Sequence, residues 1–170
     1  MSNYKLTILL VHNPFHFDNL LSWVSTIQRN FCDSFFNHGA ILYEDLLTGE
    51  KFVIEAVSHG VHKITLEKYL SYSKDRILYS FETNNGDIDF LLAQVGKKYQ
   101  FSIWWSHIGY ALFKKMFGKD NFLTNWFNTY NNPNKWFCFE LIDKTFNLNL
   151  GPGLTGKDFE DNFNLIRINL

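Results

Sequence analysis

The chain has 170 residues and is 46% apolar, enough for one domain of ordinary size with a real core, taken as a single unit over residues 1–170. An aromatic share of 18%, with 18 Phe, 8 Tyr and 5 Trp, excludes a disordered chain. A formal net charge of −1 provides no basic field for a nucleic-acid backbone or an anionic membrane, so no nucleic-acid partner is expected.

In chain order, YKLTILLV (4–11) reads as a strand; its apolar run is too short for a transmembrane segment or a signal peptide. Two cysteines, Cys32 and Cys138, are too few for a disulfide framework. The expected compartment is therefore reducing: cytoplasmic, or virion-associated if the chain is viral, with Cys138 a free thiol. Residues 18–31 carry Leu20, Leu21, Val24, Ile27 and Phe31 at helical spacing, with Asp18 as N-cap. The stretch NHGAILYEDLLTGEKFVIEAV (37–57) holds two strand-type runs around a Leu-Thr-Gly-Glu turn. GVHKITLEKYL (60–70) predicts a short strand and a helical turn, and RILYSFE (76–82) another strand. Helices are expected over 86–99, 102–118 and 119–128, then from Cys138, and again over 155–163 with Thr155 as cap. NLIRINL (164–170) closes the chain as a strand. Strands mostly precede helices, which fits α+β, a small antiparallel sheet packed against helices.

Cys138 lies in WFCFEL, after Asn132, Pro133 and Asn134, where either asparagine is able to cap a helix. Leu141, Ile142, Thr145 and Phe146 continue at spacings of three and four, which puts Cys138 in or near the first turn. Unpaired backbone N–H groups and the positive end of the helix dipole favour thiolate there, and the same donors suit an oxyanion. The competing reading is a buried structural thiol among Trp136, Phe137 and Phe139.

A nucleophilic thiol needs a base and a group to orient it. Of the six histidines, His38 is best placed, at the start of a strand and followed by Gly39, where backbone approach is close. Paired residues of a hairpin share a face. A turn centred on Thr48–Gly49 pairs His38 with His59, and a four-residue loop over Leu46–Gly49 pairs it with Val57. Either register puts His38, Glu55 and His59 on one face. Glu55 is a carboxylate in an otherwise apolar strand, where a charge needs a partner; the competing reading is a surface glutamate. His59 is the alternative orienting residue. His59/His62 and His12/His16 lack the further ligands of a zinc site, so neither metal nor cofactor is expected. His107 and the Trp104–Trp105 pair read as core or boundary residues. No phosphate loop, GxSxG or HExxH motif is present.

HGAILYE, then VIEAVSHGV with ITLEKYL, then GKKYQF, then WFCFEL resemble in order the motifs of the circularly permuted NlpC/P60, or permuted papain-like, superfamily. The likeness spans about residues 5–145. It implies a papain-like fold with Cys138 as nucleophile, His38 as base and Glu55 as the orienting residue. The chain departs from the pattern in having NHGAI for the commoner His-Val-Gly-Ile order, and Phe139 for the serine after the cysteine. The separation of His38 from Glu55 also keeps His59 in contention. The resemblance implies a cysteine hydrolase acting on amide or peptide bonds, including cell-wall peptides, through an acyl-thioenzyme. Related lecithin:retinol acyltransferase-like enzymes act on lipid esters and amides, which gives an alternative acyl substrate for the same site. Poxviruses and tailed phages encode permuted members, so a non-enzymatic virion protein retaining the fold is the third alternative. Heavy use of Asn, Phe, Lys and Tyr suits an AT-rich microbe or virus.

Overall fold

A computed structural model describes residues 3–12, 34–72, 77–81, 83, 86–100, 135–150 and 154–169. The helices expected over 18–31, 102–118 and 119–128 lie outside those residues, as do Cys32, His16, His107, Trp104, Trp105 and the segment Asn132–Asn134. The described part is α+β. Strands β1 (Tyr4–His12), β2 (His38–Asp45), β3 (Lys51–Val57), β4 (Gly60–Thr65), β5 (Ile77–Ser80) and β8 (Ile166–Ile168) form an antiparallel sheet in the order β4-β3-β2-β1-β5-β8. Helix α1 (Leu66–Ser71) follows β4, and α2 (Ile88–Gln94) follows β5. A separate two-stranded parallel pair joins β6 (Lys98–Tyr99) to β7 (Lys135–Trp136), and helices α3 (Cys138–Phe146) and α4 (Gly156–Asn162) complete the described elements.

The strands β1 and β2 read as nearly continuous apolar runs because the sheet buries side chains on both faces. Ile8, Leu10, Ile41 and Ile54 pack in one cluster with Phe139, Leu141 and Ile142 of α3. Leu9, Val11, Ala40, Leu42 and Val53 pack in a second, beneath Tyr69 of α1. A fully buried side chain of this size contributes about 2 kcal/mol. The close fit of α3 to the sheet depends on Gly39, where an added Cβ would lie 2.6 Å from Ile142 Cδ1 and 3.1 Å from the Phe139 ring.

The β2–β3 hairpin adopts the four-residue loop. Ala40 pairs with Glu55, Ile41 with Ile54 and Glu44 with Lys51. Asp45 Oδ1 accepts the N–H groups of Leu47 at 2.8 Å and Thr48 at 3.2 Å, and Gly49 takes φ +74. That side-chain cap with a left-handed residue settles the register that apolar periodicity left open.

Two expected helices begin or end elsewhere. The helix expected over 86–99 stops at Gln94; Gly96 at φ +89 turns the chain, and Lys98–Tyr99 become β6. The Cys138 helix is not capped by Asn132 or Asn134. Parallel pairing with β6 keeps Lys135 and Trp136 extended, so the N-cap falls on Phe137 and Cys138 is the first helical residue. Thr155 does cap α4, in a capping box with Asp158, whose Oδ2 accepts the Thr155 N–H at 2.7 Å.

Candidate active site

β6 is anchored to the edge strand by a reciprocal pair of backbone bonds, Val61 N–H to the Lys97 carbonyl and Gly96 N–H to the Val61 carbonyl, each 2.8 Å. Gly60, at φ +122, permits this approach, since a Cβ there would sit 2.6 Å from the Lys97 oxygen. Gln94 ties the end of α2 to β7: its Oε1 accepts Trp136 Nε1–H at 2.9 Å and a Lys97 Nζ proton at 2.6 Å. This framework fixes the residues that lead into Cys138.

Cys138 is 3% exposed and is a free thiol. Its helix receives no side-chain bond at the N-cap, because the Phe137 side chain has no oxygen to offer the first N–H groups. Glu140, three residues beyond the cap, instead accepts the backbone N–H of Phe137. Burial pushes the Glu140 carboxyl above its ordinary range, a trend that bond partly offsets.

His38 is the first residue of β2, and its side chain is 14% exposed. Cys138 is near enough to raise the basicity of His38, so the two groups meet at the starts of their elements. His38 Nε2 lies 2.6 Å from Glu55 Oε2. An ionised carboxylate only accepts, so Nε2 carries the proton and Nδ1 is the nitrogen left for the thiol. Burial alone would lower the basicity of His38. The hydrogen bonds and negative charges of Cys138 and Glu55 outweigh it and raise the pKa to about 10.

Glu55 is 3% exposed, and both of its oxygens are bonded. Oε2 accepts from His38, and Oε1 accepts from His62 Nε2 at 2.8 Å. Burial would raise its pKa, but these bonds and the charges behind them hold it well below the carboxylate range. The carboxylate is therefore a buried hub and not a surface charge.

The structure thus brings together Cys138, His38 and Glu55. His59 is not on this contact: its Nε2 lies 2.7 Å from His62 Nδ1, three contacts from His38. Sequence reasoning passed over His62, which it weighed only as a metal ligand. Its signal was the β-turn at Ser58–His59, which places His62 opposite Glu55 in the β3–β4 ladder. It also passed over Tyr99. Burial, and next the charge of Cys138, push the Tyr99 phenol well above its ordinary range, and its ring lies 6.1 Å from that of Phe137, the residue before the thiol. Among the described residues no group of three His, Cys, Asp or Glu is arranged to hold a metal ion, and no helix is long and apolar enough to cross a membrane.

No family model matches the chain, and no curated protein or solved structure matches it either.

Proposed function

We propose that the chain is a cysteine hydrolase of permuted papain-like fold, cleaving amide or peptide bonds through Cys138, His38 and Glu55. The observation that carries this reading is the convergence of three groups: His38 Nε2 lies 2.6 Å from an oxygen of the buried Glu55 carboxylate, and the same imidazole is made more basic by the neighbouring Cys138. A structural thiol has no use for a strongly basic imidazole oriented by an ionised carboxylate.

In this reading His38 Nδ1 takes the Sγ proton, and the resulting imidazolium is stabilised by Glu55. The thiolate attacks the carbonyl carbon, and the backbone N–H groups at the start of α3 hold the oxygen as it becomes anionic. The C–N bond breaks as His38 returns its proton to the departing amine, leaving a thioester on Cys138. Water then gives a proton to His38 and attacks the thioester, the acid departs, and Sγ recovers its proton. The helix dipole at Cys138 lowers the energy of both the thiolate and the oxyanion.

The test is labelling with an electrophilic thiol probe, followed by hydrolysis assays with cell-wall peptides and acyl lipids side by side. Labelling should fall on Cys138, disappear in Cys138→Ser, and be accompanied by turnover of the peptide amides. Labelling with turnover of acyl lipids alone would move the substrate class to esters. An unreactive Cys138 in folded protein would refute the enzyme reading.

A further inference from the structure

The carboxylate that orients His38 is itself held from the other side. His62 stands directly opposite Glu55 in the β3–β4 ladder, and its Nε2 lies 2.8 Å from Oε1. His38 occupies the second oxygen at 2.6 Å. The ionised carboxylate only accepts, so His62 carries hydrogen on Nε2, and its Nδ1 lies 2.7 Å from His59 Nε2. The series Cys138, His38, Glu55, His62, His59 runs from a buried thiol to an exposed imidazole, and the reading of Cys138 as nucleophile uses only its first three members.

We infer that His62 is a positioning residue, whose Nε2–H on Oε1 keeps the Glu55 carboxylate ionised and turned toward His38. The inference rests on the proposed role of Cys138. One imidazole satisfies one carboxylate oxygen, and at 3% exposure water does not readily supply the other partner. The titratable groups facing Glu55 are His38 from β2 and His62 from β4. Cys138 of α3 acts on it through His38, and the charge of Cys138 also acts on Tyr99 of β6. Without His62, Glu55 takes up a proton at a higher pH. A neutral Glu55 no longer supports the His38 imidazolium, so the thiolate is lost at that higher pH too.

The experiment follows iodoacetamide alkylation of Cys138, by mass analysis of its peptide, from acid to alkaline pH in the full chain. The variants are His62→Phe, which keeps the ring and loses the donor, His62→Asn, whose shorter amide does not reach Oε1, and His62→Gln, whose amide nitrogen replaces Nε2. The pH profile of wild-type alkylation sets the reference acid limb. The acid limb should move up by about one pH unit in His62→Phe and His62→Asn, and return in His62→Gln. A purely structural role lowers the folded fraction without moving the limb. If His62→Phe does not fold, His62→Asn decides. Limbs in both variants that coincide with wild type overturn the role of His62 and leave the nucleophile reading standing. A wild-type Cys138 that iodoacetamide leaves unmodified in the folded protein overturns the nucleophile reading itself, and the inference falls with it.

Discussion

At one end of the β2–β3 hairpin Glu55 is 3% exposed and bonded to two imidazoles, whereas at the turn Leu47 stands 74% exposed and Leu46 54%. The usual assignment of charge to solvent and leucine to core is reversed at both ends. The turn tolerates the reversal because an exposed leucine forgoes burial without incurring any unmet bond. The site end tolerates it only because each carboxylate oxygen has a donor, since an unpaired buried charge is costly. The two glycines repeat the contrast. Gly39 is required by packing against α3, whereas Gly49 is required by its φ of +74, and a Cβ added there would meet nothing within 4 Å. One end of the hairpin is specified by its partners, the other by its own backbone.

Substitution should therefore cost much more at the site end. Glu55→Ala strands two imidazoles and should lower stability by about 3 kcal/mol, measured by urea unfolding. Glu55→Gln keeps the shape and should retain the fold while lowering turnover about tenfold or more, a barrier change of about 1.4 kcal/mol. Equal stability of Glu55→Ala and wild type would erase the contrast. Gly39→Ala drives a methyl into Ile142 and Phe139 and should cost about 1–3 kcal/mol, whereas Gly49→Ala meets no atom and should cost about 1 kcal/mol from backbone strain alone.

The pH dependence of stability sharpens the same point. His38 is raised from 6.5 to about 10, so its contribution is full below about 6.5 and is lost as pH rises through about 10. Glu55 is lowered from 4.5, so its contribution is full above about 4.5 and is lost as pH falls toward its folded value. The urea midpoint should therefore be highest between these limits and decline on both sides, and Glu55→Gln should flatten the profile. Turn substitutions should leave its shape unchanged.

Smaller effects are expected farther along the series and at the turn. His59→Gln should reduce turnover by no more than about threefold, or about 0.6 kcal/mol, because His59 touches His62 and not His38 or Glu55. A crippling loss in His59→Gln would instead make His59 the orienting residue. Leu47→Ser should change stability by no more than about 0.5 kcal/mol. A larger loss would show that the turn is covered by something in solution.

The sequence by itself determined the α+β character, a strand over 4–11 and two strands within 37–57, and the nomination of His38, Glu55 and Cys138, because apolar periodicity and an isolated charge in an apolar strand are local signals. It also determined the cap of α4, since Thr155 and Asp158 lie within one turn. The hairpin register was legible only to within two alternatives, which the Asp45 cap and the left-handed Gly49 resolve. The start of α3 was not legible, because pairing of Lys135–Trp136 with Lys98–Tyr99 joins strands far apart in the chain and overrides the nearby asparagine caps. Nor was the partner of the second Glu55 oxygen: the ladder that sets His62 against it depends on the tight turn at Ser58–His59, and on Gly60 admitting the Lys97 carbonyl. Tertiary structure decided these features because hydrogen bonds between distant strands fix positions that no single stretch of residues encodes.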